Sequence, residues 1–246
     1  MKKYLLLTLI AICIGLIIPC KVYAVDITVG ATTWYTWFDG GEGSPDFDPA
    51  FFLGPALSVK FNEDFNLTFV YLYGKFDAKD EDFKIKRQDC DIALNYRLND
   101  YFKVFGGLKY IRYSFTSFEE FGYSVYESDG TDYAYGPGLG LSATYPIADN
   151  LFILATLSGF YLWDNQKVKT TEYSMGYPSP YGPTSEEVNY KQYGFNSTLS
   201  IAYYIAPAST VISLGGRFQR FIDSDDSSFK MTFYGITLTA TYTFNI

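Results

Sequence analysis

Histidine is absent from this sequence of 246 residues. That removes imidazole as a general base, as the partner of a nucleophilic serine and as a metal ligand. Cysteine is scarce, with Cys13 and Cys20 near the N-terminus and Cys90 the only one beyond residue 24. A single thiol cannot build an internal disulfide framework. Basic residues are few, 19 against 27 acidic. Such a balance argues against nucleic acid and against passive binding to anionic headgroups. Beyond residue 24, no apolar run approaches the roughly 20 residues a membrane-spanning helix needs, and helical spacing is nowhere sustained.

The first 24 residues read as a secretory signal peptide. Lys2 and Lys3 form a basic start, "YLLLTLIAICIGLII" is an apolar core, and "VYA" ending at Ala24 suits a signal-peptidase site. A lipoprotein signal would use Cys20, which Pro19 directly precedes, a poor match to that pattern. Cleavage after Ala24 is therefore expected, leaving residues 25–246 as one domain. Loss of Lys2, Lys3 and Lys21 leaves 16 basic against 27 acidic residues, a formal charge of −11.

What the sequence has in abundance is aromatic side chains, 20% of the chain, with 24 Tyr and 22 Phe. They sit in segments that alternate apolar and polar residues with a period of two, the pattern of strands with two different faces. Ten strands are expected, at 25–38, 51–61, 66–76, 84–98, 101–116, 131–146, 151–163, 189–206, 210–222 and 230–246. In "YAYGPGLGLSATY", Tyr133, Tyr135, Leu139, Leu141 and Tyr145 alternate with Ala134, Gly136, Gly138, Gly140, Ser142 and Thr144. Connections alternate between short ("NED", "ND", "IADN", "APAS") and long (39–50, 77–83, 117–130, 164–188, 223–229).

Two fold classes share such alternation. A soluble sandwich or lipocalin-like barrel turns its apolar face inward. A transmembrane up-and-down barrel turns it to lipid, with short turns on the periplasmic side and long loops outside. Glycines and spaced threonines on the polar face suit a narrow lumen. Tyr35, Trp37, Tyr133, Tyr161, Trp163 and Tyr193 fall near the long loops, and Phe61, Tyr96, Tyr145, Tyr203 and Phe244 near the short turns, as two interfacial girdles would. The final "GITLTATYTFNI" sets Thr237, Thr239, Thr241 and Thr243 opposite Ile236, Leu238, Ala240, Tyr242, Phe244 and Ile246. This ending resembles the terminal strand signal of Gram-negative outer-membrane β-barrel proteins, departing from it in closing on Ile246 where Phe or Trp is usual. The resemblance implies an all-β, single transmembrane antiparallel up-and-down barrel of about ten strands in the bacterial outer membrane. It also implies contact with outer-membrane lipid and lipopolysaccharide, and with the barrel assembly machinery during biogenesis. It names no family within that class.

A ten-stranded barrel leaves an interior little wider than its side chains fill. The inward parity includes Asp26, Lys60, Arg87, Asp89, Asp91, Arg97, Lys103, Lys109 and Arg217, both signs in near balance. Such groups form either a charge network that fills the lumen or the lining of a narrow porin-like channel for small or cationic solutes. The parity of Lys103 holds unless Gly106–Gly107 hides a bulge. Asp89 and Asp91, two apart on one face, have the spacing of an acid–base pair, although Arg87 and the basic residues of the next strand are placed to neutralise them. The strand count is similar to that of the omptin proteases, which use an Asp–His pair, and small barrels also include Ser–His lipid A deacylases and phospholipases. Without histidine none of these mechanisms carries over, and no enzymatic role is expected.

The long loops, counted with Asp132 at the edge of the third, hold 20 of the 27 acidic residues, Asp164 among them, a skew greater than solvation alone requires. Clustered carboxylates suit Ca²⁺ or Mg²⁺, and Asp46, Asp48, Asp223, Asp225 and Asp226 are the candidate contacts. No other cofactor is expected. A negative rim would equally attract cationic solutes or a basic partner. In the longest loop Tyr173, Tyr177 and Tyr181 stand among Pro178, Pro180 and Pro183. They form either a contact surface for an unidentified extracellular partner or a lid over the mouth. The expectation is an integral outer-membrane barrel with a largely filled lumen and acidic, Tyr-bearing loops in a structural or surface-interaction role. A narrow porin-like channel is the alternative.

Overall fold

Alternation of large apolar and small or polar residues produces long antiparallel strands throughout this computed structural model. It describes residues 26–41, 43–79, 83–121, 124–174, 177–178, 182–225 and 230–245. The expected signal segment and its cleavage site lie outside these. Among the described residues the strands are β1 (Asp26–Asp39), β2 (Ala50–Lys60), β3 (Phe65–Asp77), β4 (Lys84–Arg97), β5 (Phe102–Phe121), β6 (Ser124–Ala148), β7 (Leu151–Ser174), β8 (Tyr177–Pro178), β9 (Thr184–Ile205), β10 (Thr210–Asp223) and β11 (Lys230–Asn245). All but β8 form the wall. The order runs β6-β5-β4-β3-β2-β1-β11-β10-β9-β7, and pairing of β6 with β7 closes the ring. Closure leaves no unpaired edge, which a sheet in lipid requires.

The C-terminal strand shows how the two faces are used. Its threonines share the inner face with those of β1: Thr28 and Thr243 hydroxyls are 2.9 Å apart, and Thr32 and Thr239 2.7 Å. The alternate positions Ile236, Leu238, Tyr242 and Phe244 are exposed on the outside. The same holds on β6, β9 and β10, where Leu139, Leu199 and Leu214 are exposed and their neighbours line the lumen. An exposed apolar belt of this size between aromatic rims is stable only where lipid covers it.

Register is continuous through Gly106 and Gly107, which pair with Leu139 and Gly138 on one side and with Leu94 and Ala93 on the other. No bulge intervenes, so Lys103 stays on the inner face. The first two inner turns are built alike. The Asn62 side-chain oxygen accepts N–H bonds from Asp64 and Phe65 (2.9 and 2.8 Å), and Asn99 does the same for Tyr101 and Phe102 (2.9 Å each).

Two of the expected long loops are instead strand. The 117–130 connection is the continuation of β5 and β6, paired from Ser117↔Ser128 to Phe121↔Ser124. Most of 164–188 continues β7 and β9, paired from Asp164↔Tyr190 to Thr170↔Thr184. Polar residues occupy both faces there because both faces meet water. The period-two signal fades for that reason, although the ladder hydrogen bonds continue.

Candidate functional site across the lumen

Parity on β4 turns Arg87, Asp89 and Asp91 inward, and the facing residues of β5 are Tyr113, Ile111 and Lys109. Arg87, Asp89 and Lys109 are almost fully buried. Asp89 is the hub. Its Oδ2 accepts from Arg87 Nη2 at 2.7 Å and its Oδ1 from Lys109 Nζ at 2.5 Å, while Arg217 Nη2 stands 3.8 Å away. Asp91 accepts from Lys109 at 2.9 Å and pairs with Arg217 at 3.5 Å. Three cations thus share two carboxylates. Burial of this kind is tolerated only when each charge keeps close partners.

β10 lies opposite β4 in the ring, yet Arg87 Nη2 also donates to Gln219 Oε1 at 2.6 Å. Arg217 adds the second crossing and donates from Nε to Asn196 at 3.2 Å. Rings close the remaining space. The Arg87 guanidinium carbon lies 3.9 Å from the Phe233 centroid, 5.5 Å from Tyr113, and 5.8 Å from both Trp34 and Phe221. Arg87 Nε and Nη1 have no hydrogen-bond partner, and the surrounding π faces offset that loss. Inner-face glycines make room: a Cβ on Gly194 would meet Phe221 at 2.8 Å, and one on Gly74 would meet Phe52 at 2.5 Å. Trp34, Phe52, Phe76, Phe221, Phe233 and Gln219 are fully buried as a result.

Cavities flank this bolt. Towards the periplasm a space of about 390 Å³ is lined by Asn66, Thr68, Asp91, Asn95, Lys103 and Arg217, among others. Lys60, paired with Asp26 at 3.4 Å, and Arg97, paired with Asp100, stand at the periplasmic mouth away from the cluster. Towards the outside a cup of about 620 Å³ has six aromatic residues in its lining, with Asp132 and Asp223 among the rest. The β1–β2 connection bends over it. Phe47 is buried against Phe38, Phe76 and Phe83, and Asp48 N–H donates to the Asp77 carbonyl at 2.9 Å.

Of the acidic residues expected to hold a cation, the described ones, Asp46, Asp48, Asp223 and Asp225, form no metal-binding group. The Asp46 carbonyl accepts from Lys79 N–H, and the Asp223 carboxylate accepts from Asp225 N–H. Asp226 lies outside the described residues. Among the described residues no three Asp, Glu, Cys or His side chains group as a metal site would need. Of the three tyrosines, Tyr173 and Tyr177 stand on the paired strands β7 and β8. Tyr173 lies on β7 and donates to Glu127 at 3.1 Å, Tyr177 is exposed on β8, and Tyr181 lies outside the described residues.

Two carboxylates counted among the loop acids turn out to face the lumen. Asp132 on β6 and Asp164 on β7 are buried just above the outer girdle residues Tyr133 and Trp163. Tyr190 of β9 donates to Asp132 Oδ2 at 2.8 Å, while Asp132 Oδ1 and both Asp164 oxygens have no partner. Burial, and then the adjacent Asp132 carboxyl, push Asp164 up to about 9. Asp132 has the parity of the inward series Ala134, Gly136 and Gly138 within the expected strand 131–146, and Asp164 that of Phe160 and Leu162, one residue past the expected strand 151–163. Gln219 and Phe221 share the parity of Arg217, and Phe233 that of Thr237, so their inward placement was readable although their partners were not.

No protein-family model and no curated protein sequence matches the chain. Among solved structures, the outer membrane protease OmpT from Escherichia coli aligns over 91% of this chain and 98% of its own, with a TM-score of 0.55 at 12% identity. The chain has the fold of a bacterial outer-membrane barrel. The translocator domain of autotransporter NalP from Neisseria meningitidis aligns over 98% of this chain and 95% of its own, with a TM-score of 0.43 at 12% identity. A major outer membrane protein from Thermus thermophilus gives 0.42 at 14% identity, over 90% and 100%. The likeness to the protease is one of fold. An outer membrane is where that fold and the apolar belt belong.

Proposed function

We propose that this protein is a sealed outer-membrane barrel that acts at its outer rim and does not pass solutes. The observation that carries this reading is the Arg87–Gln219 bond between opposite strands, enclosed by Phe233, Tyr113, Trp34 and Phe221. A buried guanidinium held by a carboxylate, an amide and four rings resists displacement by water. The hairpins of β5–β6 and β7–β9 extend past the girdles and offer polar, tyrosine-bearing surface for a structural or surface-interaction role. Lipid and lipopolysaccharide would cover the belt, and the C-terminal strand would engage the assembly machinery. The reading assigns no catalysis to the barrel.

A second reading rests on the cavities on either side of the bolt. Joined, they would form a narrow path for small or cationic solutes. Swelling of vesicles loaded with refolded protein separates the two. A sealed barrel leaves swelling in small sugars and amino acids at the protein-free rate. Faster swelling that scales with protein content overturns the proposal.

A further inference from the structure

The outer cup carries chemistry that a sealed barrel does not need. Phe38, Phe47, Phe83, Phe115, Tyr113 and Tyr190 contribute to its lining, together with Asp132. Asp132 lines the cup although it is only 6% exposed, and its Oδ1, closed off from water, has no hydrogen-bond partner. Asp164, 3% exposed, lies one strand over beside Tyr190, in a separate hollow of the wall, and neither of its oxygens has a hydrogen-bond partner. Among the described residues neither carboxylate has an ion-pair partner. A buried carboxylate in an apolar wall is costly without a cation or a proton to neutralise it.

We propose that this cup is a binding site for a small organic cation, an ammonium group carried on an aromatic or aliphatic body. The ammonium would sit against Asp132, backed by Asp164. The rings would attract the charge through their π faces and cover the apolar body. A volume of about 620 Å³ is in the range of small-ligand sites. The donor set selects this class over others. A hard divalent ion needs six or more oxygen ligands, and no metal-binding group of acidic side chains forms among the described residues. Anions are disfavoured by the acidic residues of the wall, Asp132 and Asp223. A neutral apolar molecule would leave Asp132 without a cation. Asp164 keeps its proton, which accounts for its burial beside Asp132, and an ammonium seated at Asp132 would supply the cation that this wall lacks.

This inference goes beyond the sealed-barrel reading, since a cup above the bolt binds whether or not the barrel conducts. The test is titration calorimetry of the refolded full-length barrel with phenethylammonium and with its neutral counterpart 2-phenylethanol. Asp132→Asn, Asp164→Asn and the outer-face control Asp129→Asn are measured alongside, each checked for the folded gel shift. The expected result is saturable binding of phenethylammonium, about tenfold or more weaker for 2-phenylethanol and for Asp132→Asn, as loss of a charge-assisted bond predicts. Asp129→Asn should bind as the parent does. Equal binding of amine and alcohol, unchanged binding in folded Asp132→Asn and Asp164→Asn, or no saturable binding would each overturn the proposal. Should either variant not fold, the other and the amine–alcohol comparison still decide.

Discussion

Arg87 and Gln219 are joined by a 2.6 Å hydrogen bond although their strands, β4 and β10, stand on opposite sides of the ring. A contact of that kind is available only in a narrow barrel. It ties the wall across its diameter and sets the guanidinium against Phe233. The charge cluster below it is organised about Asp89, which three cations share.

Asp89 should therefore matter more to stability than Arg87. Asp89→Asn leaves Arg87, Lys109 and Arg217 with Asp91 alone and should cost about 3–5 kcal/mol, the usual penalty for stranding buried charge. Arg87→Met leaves two cations with two carboxylates, and its flexible thioether fits among the rings. It should cost less. Urea unfolding in lipid vesicles gives the order, and equal or reversed costs would contradict the hub assignment.

The outer pair sets a pH dependence. Asp164 holds its proton up to about 9, against an ordinary value of 3.8. The folded barrel then binds more protons than the unfolded chain between those values, so stability falls as pH rises through this window. Asp164→Asn removes the ionisable group and should flatten the fall. Melting temperatures at several pH values between 5 and 9 test this, and parallel curves for parent and variant would refute it.

The faces are open to a direct test. Leu139 is 74% exposed on the outside of β6, so Leu139→Arg near mid-membrane should cost about 2–4 kcal/mol in a bilayer. Thr239→Ser, on the inner face, keeps the hydroxyl that meets Thr32 and should change little. A mild effect of Leu139→Arg would mean that the belt does not face lipid.

Phe47 anchors the β1–β2 connection inside the mouth. Phe47→Ala should release it, seen as faster proteolysis within residues 40–49 while the barrel keeps its heat-modifiable gel shift. Unchanged cleavage would show that the backbone bond between Asp48 and Asp77 holds the loop unaided.

Much of this was legible in the sequence, for a physical reason. Between the girdles each strand has lipid on one side and lumen on the other, so residues such as Leu238 and Thr239 must differ. Parity alone then turns Arg87, Asp89 and Lys109 inward. Above the girdles both faces meet water, and Ser117 or Thr170 carries no mark of its strand. Asp132 and Asp164 read as loop acids because they lie at that boundary. The Arg87–Gln219 partnership was not legible, since strands 132 residues apart meet only once the ring closes.

Single-channel recording of the refolded barrel in a planar bilayer, at two salt concentrations, tests the central claim most directly. With folding verified by the gel shift, a barrel bolted at Arg87 gives a silent bilayer. Discrete conductance steps that scale with salt would contradict it, and would show that the Arg87 bolt opens.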